Sequence, residues 1–265
     1  MSTEPVNKTR TVEKEVRIKA PVEAVWKALT DAGELVKWFP VDARVKPGVG
    51  GGIMVSWGPG MEGESEIKIW EPNRRLSDEG KSSKGTPLTL DYYLSTEGGE
   101  TVVRLVHSGF GADVGWDDEY DSIDTGWGLF LKNLRHYLER HAGAGCLHRW
   151  TPLVMGVGVT EAWKRLLGAE GLAAKGSIPT TKGARFSCTT ALGMVLEGTV
   201  EVAQEPNVLA LTVTSLNDAL LRFTMKEMSA CFAGFDFFGY GLPEAEAATA
   251  HDALLAVCRQ AFGVR

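Results

Sequence analysis

The sequence predicts an α+β protein in which a curved antiparallel sheet wraps around one long helix, and it predicts this unit twice along the chain. Three observations support this fold class. Residues 125–140 have the apolar periodicity of a long amphipathic helix. Short alternating stretches at hairpin spacing precede that helix. Two segments of the first half recur in the same order about 135 residues later, which is typical of a tandem repeat.

The predicted helix 125–140 organises the first half. Its large apolar side chains fall at i, i+4, i+7 and i+11, which places them on one stripe. These side chains are Trp127, Leu131, Leu134 and Leu138. Several acidic residues between 117 and 124 precede the helix and favour the positive end of its dipole. Glycines at 143 and 145 are expected to end it.

The elements before this helix are expected to provide the apolar surface against which its stripe of large side chains packs. A strand is predicted at about 12–19, and Pro21 starts a short helix over 22–30. A second short helix covers about 31–38. Five strands then follow at about 53–58, 62–71, 74–80, 86–96 and 100–108. Consecutive hairpins of this kind make an antiparallel sheet.

The second half repeats this pattern. TEAWKRLL echoes VEAVWKALT, and EGTVEVAQEPN echoes EGESEIKIWEPN. We therefore predict one domain over 1–143 and a second, divergent domain over 146–265. Its strands are expected at about 147–155, 197–207, 208–216, 219–227 and 229–237, and its last helix at about 244–262.

The charge distribution suggests how the two copies associate. After residue 142, 21 of 123 residues are charged, against 41 of 142 before it. A less charged second copy is expected to have more of its surface covered. We predict that the copies pack as an internal pseudo-dimer, with a homodimer as a further alternative.

Composition excludes several function classes. The net charge of −6 gives no electrostatic footprint for nucleic acid or an anionic membrane. The first ten residues are polar, without the apolar core of a secretion signal. The four cysteines lack CxxC or metal spacing, so we expect reduced thiols in a cytoplasmic protein. We predict no membrane insertion, no cofactor and no metal.

Four segments of the first half carry a resemblance to a known family: VEAVWKALTDAGELVKWFP, EIKIWEPNRRL, VRLVHSGF and GWGLFLKNLRHYLE. In this order they resemble the START-like helix-grip (SRPBCC) superfamily, within the branch related to the activator of Hsp90 ATPase. The resemblance implies a seven-stranded sheet that grips a C-terminal helix, with an apolar cavity between them. Superfamily members bind lipids, hormones or polyketides, and a few are cyclases or hydrolases. Eukaryotic co-chaperones carry an additional Hsp90-binding domain, and no segment of this sequence clearly matches one.

The candidate cavity residues are mainly aromatic: Trp38, Trp57, Tyr92, His107, Trp127 and Leu131. A ligand cavity needs apolar walls and a few polar groups, and the Tyr92 hydroxyl, the His107 ring and the indole N–H groups could supply the latter. Plain core packing is the alternative interpretation of the same residues.

Other motifs do not indicate a site. Counted from Asp117, an EF-hand loop would need Gly at its sixth and Glu at its twelfth position, where the chain has Ser122 and Gly128. We interpret the acidic run as a solvated loop. No Ser-His-Asp arrangement and no cysteine nucleophile with a plausible base is found.

Three functions are compatible with the sequence. The first is a non-enzymatic protein that binds a small hydrophobic or aromatic ligand in the first cavity. The second is a cyclase- or hydrolase-type enzyme with His107 or Tyr92 in acid–base chemistry. The third is a chaperone- or regulator-linked protein–protein interaction module. We rank them in that order.

Overall fold

The computed structural model of the chain describes residues 9–227 and 230–264. Two compact units divide the chain, Met1–Ala142 and Gly143–Arg265. The first eight residues of the polar N-terminal stretch lie outside the described residues. No helix within the described ranges combines the length and the apolar composition that a membrane span requires.

The first unit combines one sheet with three helices. Its strands are β1 (Thr9–Ile18), β2 (Asp42–Lys46), β3 (Gly52–Ser56), β4 (Glu62–Glu71), β5 (Arg75–Lys81), β6 (Pro87–Glu97) and β7 (Glu100–Gly111). Its helices are α1 (Val22–Thr30), α2 (Ala32–Leu35) and α3 (Asp117–Arg140). The sheet order is β1-β7-β6-β5-β4-β3-β2, and every neighbouring pair is antiparallel. This arrangement confirms the predicted fold class.

Helix α3 begins earlier than the apolar periodicity predicts. It starts at Asp117 rather than Thr125, so the acidic run forms its first turns and is not a loop. Carboxylates in a first helical turn are stabilised by the free backbone N–H groups there. Two ion pairs hold this end against β1, from Arg10 to Asp117 at 2.7 Å and from Lys14 to Asp124 at 2.8 Å. The prediction of a loop was therefore wrong, whereas the acidic run does lie at the N-terminal end of the helix, as predicted, with Asp117, Asp118 and Asp121 exposed.

The remainder of α3 packs as predicted. Its four stripe residues are buried: Trp127, Leu131, Leu134 and Leu138. Near its end, the Tyr137 hydroxyl bonds the Glu34 carboxylate and accepts from Lys37 Nζ at 3.2 Å. These contacts connect the C-terminal part of α3 to α2 and to the residues that follow α2.

The second unit repeats the architecture. Its strands are β8 (Cys146–Val154), β9 (Lys175–Ser177), β10 (Arg185–Thr189), β11 (Val195–Gln204), β12 (Val208–Val213), β13 (Ala219–Glu227) and β14 (Cys231–Tyr240). Its helices are α4 (Val159–Leu167) and α5 (Glu244–Phe262). The sheet order β8-β14-β13-β12-β11-β10-β9 matches the order of the first sheet strand for strand. The predicted tandem repeat is confirmed.

Three short strands, β2, β9 and β10, were not predicted from the sequence. Strand β9 has three residues, all exposed, so it carries no alternation that a pattern could reveal. Strand β2 reads DARVK and buries only Ala43. These strands lie at or near one end of each sheet. Strand β10 does alternate, with Phe186 and Cys188 buried, but it has only five residues.

Aromatic rings fill the interior of the second unit. Phe223, Phe235 and Phe237 are all fully buried within one core cluster. Phe235 stacks on Phe223 at 5.1 Å and on His251 of α5 at 5.7 Å between ring centroids. Four of the eight buried residues of helix α5 are small: Ala247, Ala250, Cys258 and Ala261. The other four are larger: His251, Leu254, Val257 and Phe262.

Candidate ligand-binding cavity

A cavity of about 340 Å³ lies within the first unit, between the sheet and helix α3. Strands β3 to β7, the segment from α1 to Phe39, and the first half of α3 all contribute to its wall. Most of the lining is apolar: Leu29, Leu35, Phe39, Ile53, Val55, Trp57, Leu76, Leu88, Leu90, Ile123 and Trp127. Its polar and charged side chains are Glu64, Ser65, Asp78, Lys81, Tyr92, His107 and Glu119.

Strand register brings the central polar groups to one face. Asp78 on β5 pairs with Leu90 on β6, and Leu90 pairs with His107 on β7. Tyr92 lies two residues beyond Leu90, so its side chain points to the same face of the sheet. Asp78 and His107 are therefore separated by one strand, roughly 10 Å across the wall.

Stacked aromatic rings close one side of the cavity. Phe39 stacks on Trp127 at 5.1 Å and meets Trp57 edge-on at 5.2 Å between ring centroids. Phe130 packs edge-on against Phe39 at 4.7 Å. Such mutually packed rings form a stiff wall, and the stacked and edge-on geometries add to the burial of their area.

His107 is held as a neutral imidazole. The Trp127 Nε1–H donates to His107 Nδ1 at 3.0 Å, so the proton of the neutral ring is on Nε2. Burial lowers the pKa of His107 to about 4, against the opposing effect of the negative charge on Glu119. At neutral pH this residue can donate one hydrogen bond and adds no positive charge to the wall.

Tyr92 is also neutral. Burial raises the pKa of its hydroxyl well above the ordinary value, and the negative charge of Asp78 reinforces the rise. Its ring meets Trp127 edge-on at 6.0 Å between centroids. The hydroxyl can therefore both donate and accept a hydrogen bond beside Asp78.

Asp78 is the most perturbed acid of the cavity. Its exposure is 6%. Burial raises its pKa to about 6, the Ser65 hydroxyl opposes this rise, and the charge of Asp91 adds to it. At neutral pH Asp78 is mainly ionised, in a site where ionisation is costly.

The structure brings four of the six sequence-predicted residues together. Trp57, Tyr92, His107 and Trp127 line the cavity. Trp38 and Leu131 do not belong to the lining, although both are buried. The Trp38 Nε1–H donates to the Ala28 carbonyl at 2.9 Å, so Phe39 faces the cavity in its place. Leu131 lies one helical turn beyond Trp127, in the solid core.

Most of the other lining residues were not predicted as cavity residues from the sequence, among them Asp78, Ser65, Glu119 and Phe39. The sequence contained a signal for Asp78. It lies two residues from Leu76 and two from Gly80 on one strand, so all three share one face of the sheet. Glu119 was assigned to a loop, whereas α3 places it one turn before Ile123 and two before Trp127, on the cavity side. The Ser83 hydroxyl donates to Glu119 at 2.6 Å and ties it to the β5–β6 connection.

Comparison with known proteins finds a family model that matches within the first unit. Residues 19–139 match the profile of the family described as Activator of Hsp90 ATPase homolog 1-like protein. No curated protein matches the chain. Protein MLL2253 from Mesorhizobium loti is 27% identical, with 49% of this chain and 98% of that one covered and a TM-score of 0.46.

Two further solved structures are similar. The Aha1 dimer from Colwellia psychrerythraea is 24% identical, with 49% of this chain and 96% of that one covered and a TM-score of 0.44. The di-domain ARO/CYC BexL from the BE-7585A biosynthetic pathway is 15% identical, with 97% and 99% covered and a TM-score of 0.45. The family model spans nearly the whole first unit, so the first unit is similar to the Activator of Hsp90 ATPase homolog 1-like family.

Proposed function

We propose that the first unit binds one small, largely apolar molecule in the cavity between its sheet and helix α3. The cavity of about 340 Å³ carries this proposal. It falls within the range of small-molecule sites, which are concave, mostly apolar and furnished with a few polar groups. A ligand there would replace water against the aromatic wall and would meet the polar groups of Asp78, Tyr92 and His107.

The apolar wall provides the affinity in this proposal. Burying apolar area contributes roughly 25 cal/mol per Å². The rings of Phe39, Trp57 and Trp127 are held by one another and need little further ordering when a ligand binds. A pre-organised wall reduces the entropic cost of association.

A cavity-filling variant tests the proposal. Leu90 lies between Asp78 and His107 in the register, so Leu90→Trp places an indole in the middle of the cavity. We expect it to abolish the binding of an apolar fluorescent probe such as 1-anilinonaphthalene, measured by titration. Tyr93→Trp is the control, because Tyr93 is next to Tyr92 and points to the opposite face. Equal probe binding by wild type and Leu90→Trp would refute the proposal.

Acid–base chemistry in the same cavity is a second candidate. Asp78 and His107 have pKa values displaced in opposite directions, to about 6 and about 4, on one wall. Groups separated in this way are typical of acid–base pairs in enzymes. The test is to incubate whatever ligand is extracted from the purified protein with wild type and with His107→Ala. Conversion of the ligand by wild type and not by His107→Ala would favour this candidate. If neither protein converts the ligand, ligand binding without catalysis is the function that remains.

A further inference from the structure

The Asp78 carboxylate is unusual among the buried acids of the described residues. Those acids are Asp78, Asp91 and Asp236, with exposures of 6%, 8% and 1%. Asp91 is paired with Arg75 at 2.8 Å, and Asp236 with Arg222 at 2.8 Å. No lysine or arginine of the described ranges makes an ion pair with Asp78. Asp78 is also the only one of the three on the cavity wall.

A buried carboxylate without a cation is costly. Removing an ionised carboxyl from water requires an opposite charge or several hydrogen bonds to offset the loss of hydration. The groups near Asp78 on the wall are Ser65 and Tyr92, both neutral, and the neutral His107 lies farther away, across one strand. The side chains around Asp78 therefore provide hydrogen-bonding groups but leave its negative charge without a counter-ion.

The aromatic wall favours the same kind of ligand. A cation over the face of a tryptophan, tyrosine or phenylalanine ring is attracted by the negative π face, with roughly 0.5–2 kcal/mol per contact. Phe39, Trp57, Tyr92 and Trp127 all line the cavity. A ligand cation could thus meet a carboxylate and aromatic faces in one site.

The remaining charged lining residues add to this preference. Glu64 and Glu119 line the cavity together with one cation, Lys81. Glu64 and Lys81 are both exposed, so the solvent screens them. The lining therefore has an excess of negative charge, which opposes the entry of an anionic molecule such as a fatty acid.

We infer that the ligand of this cavity is an amphiphilic amine, with an apolar body against the aromatic wall and a protonated nitrogen paired with the Asp78 carboxylate. This inference rests on the proposed function, because it names the chemical class bound at the same site. A neutral ligand would leave Asp78 uncompensated, and a carboxylate ligand would add a second negative charge beside it.

Two matched probes test the inference: 1-naphthylmethylamine, which is protonated at pH 7.5, and 1-naphthylmethanol, which has the same ring and no charge. Titration calorimetry with the full chain measures both. We expect wild type to bind the amine at least tenfold more tightly than the alcohol, a difference of about 1.4 kcal/mol or more. Asp78→Asn should lower the affinity for the amine at least tenfold and change the affinity for the alcohol by less than twofold. Glu79→Gln, on the opposite face of the same strand, should change neither.

The outcomes separate this inference from the proposed function. If both probes bind equally to wild type and Asp78→Asn changes neither, the cavity binds apolar molecules and the amine inference is wrong. If neither probe binds, the proposed function fails as well. Retained binding of the alcohol by Asp78→Asn also shows that the variant keeps an intact cavity, so a loss of amine binding cannot be attributed to misfolding.

Discussion

The two units have the same strand order but use the space between sheet and helix differently. In the first unit, that space contains a cavity of about 340 Å³ with aromatic rings on the helix and on the segment before β2. In the second, the fully buried rings Phe223, Phe235 and Phe237 belong to the sheet and form one continuous core with α5. The same strand order therefore surrounds a cavity in the first unit and a cluster of buried aromatic rings in the second.

The two long helices meet their sheets with different side chains. Helix α3 presents Trp127, which contacts Phe39, Tyr92 and His107 on the cavity side. On helix α5, half of the eight buried residues are small, and the sheet rings Phe235 and Phe237 pack against its buried His251.

The largest expected effect is a core truncation in the second unit. Phe235→Ala should destabilise the protein by about 3–5 kcal/mol, because it leaves a void in a filled core. Chemical denaturation followed by far-UV circular dichroism measures this. Phe232→Ala is the control on the same strand, where Phe232 is 37% exposed, and it should change stability by less than about 0.5 kcal/mol. A small loss for Phe235→Ala would mean that this core is loosely packed.

The next effect concerns Asp78 and has a defined pH dependence. Its pKa in the folded protein is about 6, above the ordinary 3.8, so the folded state binds the proton more tightly and stability falls as pH rises from 4 to 6. Asp78→Asn should therefore match wild type at pH 4 and be more stable at pH 7, by up to roughly 3 kcal/mol. Denaturant titrations at both pH values measure this difference.

His107 gives the stability of the protein a pH dependence of the opposite sign. Its pKa is lowered from 6.5 to about 4, so its contribution to stability is lost as pH falls through that range. In wild type the pH dependences of stability that come from Asp78 and His107 oppose each other. In Asp78→Asn only the contribution of His107 remains, and it increases stability as pH rises. A variant whose advantage over wild type is the same at pH 4 and pH 7 would contradict the role given to Asp78. Glu79→Gln, which is exposed, is the matched control.

A pair of overpacking variants compares the two interiors directly. Leu90→Trp enters the cavity and should cost less than about 1 kcal/mol, whereas Leu221→Trp in the filled core should cost about 1–3 kcal/mol. The two leucines occupy comparable positions in their sheets. Leu90 on β6 pairs with His107 on β7, and Leu221 on β13 pairs with Phe237 on β14. Denaturant titration of both variants measures the costs. Equal costs would mean that the cavity has no room for the added indole.

The smallest effect concerns the bond between Trp127 and His107. Trp127→Phe removes the N–H that donates to His107 Nδ1 and should cost about 1 kcal/mol. Without that donor the neutral imidazole loses one hydrogen bond that favours it, so the pKa of His107 should rise, although burial still keeps it below 6.5. Titration of the ring by NMR measures it. Trp70→Phe, in the edge-on pair with Trp26, should leave the pKa of His107 unchanged.

Elements with a strong apolar period could be predicted from the sequence. Helix α1 has the predicted bounds 22–30, and α5 has the predicted bounds 244–262. The start of α3 could not be predicted in the same way, because its first turns are acidic and lack the apolar period of the rest of the helix, and they contact β1 through ion pairs. Short strands such as β9 are defined only by their neighbour in the sheet.

The cavity was predictable only in part. Tyr92 and His107 lie on strands with clear alternation, so their common face follows from the sequence. The choice between Trp38 and Phe39 depends on the bond from the Trp38 indole to Ala28, which no local pattern reveals. The internal pairing of the two units, a homodimer and the cytoplasmic location stay predictions.

The most direct test of the difference between the two units is native mass spectrometry of the full chain in the presence of 1-naphthylmethanol. We predict one bound molecule per chain, held in the cavity of the first unit. Leu90→Trp should abolish this bound form, and Tyr93→Trp should retain it. Two molecules per chain, or a bound form that persists in Leu90→Trp, would contradict the assignment of the ligand to the first cavity.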